Sequence, residues 1–116
     1  MRYWDKLAEY QREGFDIIVD KTYEDLHPKD LFDDSVTDIK DLCDRIDRGV
    51  LDWFMLRVRV FLDGHELADN YLGGMLYEDA RECLTDGMAE DIIAETIEDA
   101  RNSAARLFNR LQEICQ

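Results

Sequence analysis

The residues that come nearest to carrying chemistry are His65, Glu66 and Asp69, in the segment HELAD (65–69). A zinc-hydrolase helix begins HExxH, because two imidazoles four residues apart share one helical face and can grip one ion. Here the fifth position is Asp69 rather than histidine, and Asp63-Gly64 just upstream is a strong hairpin signal. His65 is therefore expected beside a turn, and neither a metal site nor a cofactor is expected. His27, the other histidine, precedes Pro28 and has no recognisable nucleophile near it in sequence, so it reads as a loop residue. Cys43, Cys83 and Cys115 are odd in number and far apart, with no CxxC pair. They read as reduced thiols, Cys43 and Cys83 as small packing residues.

Carboxylates are abundant and often adjacent, as at Glu24-Asp25, Asp33-Asp34, Glu78-Asp79, Glu90-Asp91 and Glu98-Asp99. General acid–base catalysis needs one carboxyl set apart by burial or a neighbour, and nothing in the pattern singles out one. The segment DLFDDSVTD (30–38) lacks the glycine and terminal glutamate of a calcium loop. GHELADNYLGG (64–74) fails as a dinucleotide fingerprint, having no strand–loop–helix frame. No enzyme is expected. Trp53 and Phe54 have the character of binding hot spots but sit where a helix passes into a strand, so core packing is expected of them.

Charge is the outlying property. The 116-residue chain carries 28 acids against 14 bases, a net −14, and only 4 of its bases are lysines. Such a surface repels nucleic-acid phosphates and anionic membranes, and it attracts basic protein surfaces. No run of about 18 apolar residues could span a bilayer, and MRYWDKLAEYQREG has no secretory apolar segment. With 46% hydrophobic residues the chain can fill a core, and its length suits one domain over 1–116.

The elements that must position these groups follow from periodicity. Tyr3, Leu7 and Tyr10 at helical spacing, with Gly14 as a stop, predict a helix over 2–12. FDIIVDKTY predicts a strand at 15–20. Ser35 is a plausible N-cap for a helix over 35–48 with Val36, Ile39, Leu42, Cys43, Ile46 and Val50 on one face, Asp34, Asp38 and Asp41 on the other, and Gly49 as its stop. Leu56, Val58, Val60 and Leu62 alternate with Arg57, Arg59 and Phe61. With the Asp63-Gly64 turn this predicts a hairpin of 51–62 and 65–72, ended by Gly73-Gly74. In that register Val60 faces Leu67, Phe61 faces Glu66, and Arg59 lies diagonal to Glu66. Glu78–Leu84 reads as a short helix. A long helix is expected over 88–114, with an apolar stripe from Met88 through Ile92, Ile97, Leu107 and Leu111 to Cys115. Its acids, including Asp91, Glu95 and Glu98, come early, and Arg101, Arg106 and Arg110 come late, as the helix dipole favours.

EGFDIIVDKTYEDLHPKD and DWFMLRVRVFLDGHELADNYLGGMLYEDA together resemble small acidic accessory proteins of large tailed phages. The resemblance covers about half of the chain and transfers no catalytic residue. It implies a cytoplasmic protein made in an infected bacterial host cell, a setting in which small acidic proteins include mimics of nucleic acid.

The expected fold class is α+β: a small antiparallel sheet, one strand plus a β-hairpin, packed against amphipathic helices. The expected function is non-enzymatic binding of a basic surface on a host protein, with inhibition of a nucleic-acid-binding enzyme by mimicry as its specific form. Asp34, Asp38, Asp41, Asp91, Glu95 and Glu98 are its partner-binding residues. The alternative is a structural or assembly protein that forms a homodimer through the sheet face carrying Arg57, Arg59 and Phe61.

Overall fold

A computed structural model describes residues 3–30 and 38–115. The fold is α+β. Its strands are β1 (Asp5–Arg12), β2 (Phe15–Tyr23), β3 (Asp52–Leu62) and β4 (His65–Tyr77), and its helices are α1 (Ile39–Asp47) and α2 (Glu90–Ile114). Short 3-10 turns lie at Pro28–Asp30 and Ala80–Leu84. The strands form one antiparallel sheet in the order β1-β2-β3-β4.

Residues 5–12, expected to be helical, are instead the edge strand β1. Glu13 and Gly14 both have positive φ (55° and 88°), the requirement of a tight two-residue hairpin turn, and so fold β1 back onto β2. Pairing with a strongly β-forming neighbour gives the backbone its partners, which outweighs the modest helical spacing of Leu7 and Tyr10. Gly14 thus serves a hairpin, not a helix stop.

The centre of the sheet is the β2–β3 pair, in unbroken register from Asp16 opposite Phe61 to Tyr23 opposite Phe54. Because side chains alternate, one face collects Phe15, Ile17 and Val19 with Phe54, Leu56, Val58 and Val60, all buried. The first half of α2 closes this face with Ile92, Ile93, Ile97 and Ala100, helped by Ala80, Cys83 and Met75. Two polar side chains enter this contact as a satisfied pair. The Thr96 hydroxyl donates to the Ile92 carbonyl (2.6 Å) and accepts from Asn70 Nδ2 (2.9 Å).

Asp63 and Gly64 have φ of 50° and 82°, so the expected turn forms between β3 and β4. Phe61 faces Glu66 as expected, but Val60 faces Ala68, because Leu67 is an extra residue in β4. Gly73-Gly74 does not end the strand. It forms a second irregularity between the Phe54–Met75 and Leu56–Leu72 pairs, and β4 runs on to Tyr77. Glu24 explains the glycines: one carboxylate oxygen accepts from Gly74 N–H at 2.8 Å, and a Cβ on Gly73 would stand 2.7 Å from it. The carboxylate comes so close to the backbone there because Gly73 has no side chain.

α1 begins at Asp38, whose carboxylate accepts from Asp41 N–H. The expected cap Ser35, with Val36, lies outside the described residues. Gly49, at φ 77°, follows the helix end as expected. Among the described residues, α1 adds no side chain to the main core. It lies against the Pro28–Asp30 turn, with Cys43 and Ile46 beside Trp53. The sheet face is therefore covered by α2 alone of the two helices. The expected 78–84 helix is the 3-10 turn Ala80–Leu84, which α2 follows after Asp86 caps Met88 N–H.

Gly64 has open space around its missing Cβ, so the cost of Gly64→Val is confined to backbone strain. The variant should lose more than about 1 kcal/mol, read from its urea unfolding midpoint.

High pH should destabilise the protein through two groups at the 3-10 turn, Tyr77 shortly before it and Cys83 within it. Burial, and then the Asp86 carboxylate that its hydroxyl contacts at 2.7 Å, push Tyr77 up to about 12 from 10.0. Burial pushes the Cys83 thiol up to about 11 from 9.0. Above their ordinary values the unfolded chain binds fewer protons than the folded one, so stability falls as pH rises. It should be fully present below pH 9 and lost progressively up to pH 12, and Tyr77→Phe should flatten the upper part of that loss.

Candidate functional site

The face of the sheet opposite α2 carries the odd-numbered side chains of β3, and its centre is a closed ionic cluster. Asp20, 3% exposed, sits on β2 directly across from Arg57 and one diagonal step from Arg59. Its Oδ2 accepts from Arg57 Nε (3.1 Å), from a second Arg57 nitrogen (2.5 Å) and from Arg59 (2.9 Å). Trp4 covers the cluster, with the Arg57 guanidinium 3.9 Å from its ring centre and the Tyr71 ring 6.1 Å away. Phe61 lies 5.4 Å from the Arg59 guanidinium. The expected diagonal contact of Arg59 with Glu66 is replaced by this inward turn toward Asp20. A buried carboxylate offers the arginine more than an exposed cross-strand glutamate, since the low local dielectric strengthens each charged hydrogen bond. Arg57, Arg59 and Phe61 are thus half-buried and engaged within the chain.

A second grouping escaped the sequence reading. Cys43 Sγ lies 3.6 Å from His27 Nε2, at a hollow of about 290 Å³ that Glu24, Leu26, Ile46 and Trp53 also line. The fifteen residues between histidine and cysteine carry no motif, so only the fold reveals the pair. Its geometry limits its chemistry. Lys29 N–H donates to His27 Nδ1 at 3.2 Å, which leaves the proton of the neutral ring on Nε2. The ring can then donate to the sulfur but has no lone pair with which to take the thiol proton. The arrangement is a hydrogen bond, not a nucleophile with its base.

The acidic residues form the third grouping. Asp91, Glu95 and Glu98 are all exposed, on the side of α2 opposite its buried Ile93, Ile97 and Ala100. Most arginines are spent on other acids: Arg12 on Glu90 (2.7 Å), Arg48 on Asp44 (2.8 Å), Arg81 on Asp79 (3.2 Å) and Arg101 on Glu13. Glu98 has a long contact with Arg101 (3.5 Å), and Asp91 and Glu95 have no ion pair among the described residues. On α1, Asp41 is exposed and Asp38 is the helix cap; Asp34 lies outside the described residues.

His65 and Glu66 are exposed at the start of β4, while Asp69 accepts from the Tyr71 hydroxyl (3.2 Å). Among the described residues no three His, Cys, Asp or Glu side chains are placed to hold a metal ion. No helix there is long and apolar enough to cross a membrane. Comparison with protein-family models, with curated proteins and with solved structures finds no match to this chain.

The ionic cluster makes a strong claim on stability. Removing the carboxylate leaves two half-buried guanidiniums facing each other, so Asp20→Asn should cost about 3–5 kcal/mol in chemical denaturation. Asp16→Asn, on the same face but outside the cluster, should cost less than about 0.5 kcal/mol.

Proposed function

We propose that the protein is a non-enzymatic binder that presents acidic helix surface to a basic surface of a host protein, with a nucleic-acid-binding channel as the specific target. The observation that carries this reading is the outer side of α2, where Asp91, Glu95 and Glu98 stand exposed on a rigid helix backed by the core. Like charges three and four residues apart on a helix repel by a few tenths of a kcal/mol per pair. Clustering them therefore does not serve the fold, and a basic partner would relieve the repulsion on binding. The balance of the chain supports the same reading. Its arginines are largely paired inside the molecule, so the excess of negative charge is left at the surface. Such a field steers a cationic partner in and acts chiefly on the association rate.

The test is capture from bacterial lysate at low and at high salt, followed by identification of the captured protein and competition with duplex DNA. Changing Asp91→Asn, Glu95→Gln and Glu98→Gln together should leave the melting temperature unchanged or slightly higher. The same variant should capture less partner, through slower association and with a weaker dependence on salt. Capture untouched by neutralisation at low salt would sink the reading and make the acidity a solubility property. A captured protein that still binds duplex DNA would remove the mimicry while leaving the binder.

A further inference from the structure

Three cations of this chain rest between an aromatic ring and a carboxylate. Arg57 lies over Trp4 at 3.9 Å from the ring centre and binds Asp20. Arg59 lies 5.4 Å from the Phe61 centre and binds the same Asp20. Lys21 lies 5.8 Å from the Phe54 centre and binds Asp52. The hollow beside Cys43 and His27 provides the same two surroundings. Trp53 forms one wall, and Leu26, Pro28 and Ile46 extend the apolar lining. Glu24, Asp25 and Asp47 supply carboxylates, and no lysine or arginine is among the described residues that line it.

The fold holds these groups in place. Trp53 Nε1 donates to the Leu26 carbonyl at 2.9 Å, which orients the ring. The Glu24 carboxylate accepts from the N–H groups of Leu26 (3.2 Å) and Gly74 (2.8 Å), which fixes its charge at the hollow. Asp47 is the last residue of α1, where the helix dipole disfavours a carboxylate. Its position therefore does not serve the helix. Like charges gathered around one hollow also repel, and an entering cation would relieve that repulsion. We propose that the hollow receives one arginine side chain of a partner. Size supports a single side chain, because about 290 Å³ lies at the bottom of the roughly 300–1,000 Å³ range of small-molecule sites. Arginine suits the lining better than lysine does. Its planar guanidinium stacks on an indole, forks onto carboxylates and gives up water more readily than an ammonium. The inference names an anchor for the basic partner proposed above, and rests on that reading for the partner but not for the site.

Butylguanidinium, an arginine side chain without its backbone, tests the site on the full chain. The chain has 2 tryptophans, so Trp4→Phe identifies the indole N–H resonance of Trp53 by removing the other one. In the natural chain that resonance should shift saturably, in the millimolar range expected of so small a ligand. Butylammonium should bind more weakly, and butanesulfonate should give no saturable shift. Asp47→Asn should weaken butylguanidinium about threefold, as loss of one exposed ion pair does. The joint change of Asp91→Asn, Glu95→Gln and Glu98→Gln should leave it unaltered. Butylguanidinium should also slow alkylation of Cys43 by iodoacetamide while leaving that of Cys115 unchanged. A Trp53 resonance that does not move overturns the inference, as does binding indifferent to Asp47→Asn. Equal binding of butylammonium overturns arginine as the occupant. Failure of butylguanidinium to bind leaves the acidic-helix reading standing. Saturable binding with no basic protein captured from lysate supports the site and overturns that reading instead.

Discussion

The pairing of β2 with β3 is the constraint on which the rest of this structure depends. It is held from both faces by different physics. On one face Ile17, Val19, Leu56, Val58 and Val60 leave water completely. On the other, Asp20 binds Arg57 and Arg59. A slip of one residue would turn the arginines into the core and the valines out of it, at a cost no other contact could offset. Neither hydrophobic burial nor the ionic cluster alone would specify the register so sharply. A slip by two residues preserves the apolar face but moves Arg57 from its place directly across Asp20 to a diagonal one.

Much of this was legible in the sequence, and the failures have physical causes. The β3 strand and its turn were readable, because alternation over seven residues followed by Asp-Gly has few other solutions. The long helix was readable from its apolar stripe. β1 was misread because it is an edge strand exposed on most of its length, so burial imposes no alternation on DKLAEYQR, and chance helical spacing filled the gap. Glu13-Gly14 was the missed signal, being the same kind of turn as Asp63-Gly64. The role of Arg57 and Arg59 was missed for a different reason. Asp20 and the arginines each lie on the polar side of their own strand, but nothing local says that those two strands are neighbours. Cys43 and His27 illustrate the same limit, since loop and helix meet only through tertiary structure. The acidic side of α2 needed only helical geometry and was legible directly.

The two halves of α2 divide along the same line as its charges. The first half is anchored through Ile92, Ile93 and Ile97, and its exposed side is acidic; the second half leaves the sheet, and its charge reverses sign. Burial thus sets which side of the first half can meet other molecules, while from Ala105 to Cys115 every residue is exposed. The electrostatic character of the surface changes over one helix length, without any change of backbone structure.

The irregularities of the sheet lie in its outer strands. β1 shifts register between Lys6 and Ala8, and β4 carries the extra residues at Leu67 and at Gly73-Gly74, while β2 and β3 pair without interruption. A regular outer strand offers its free N–H and C=O groups to any extended chain, which is the usual route to edge-to-edge aggregation. Kinks at both edges, together with Lys6 on β1, break up that template. The two outer strands of this four-stranded sheet are in this way poor templates for a further strand. Growth by strand addition is discouraged, and recognition is left to side chains rather than to the backbone.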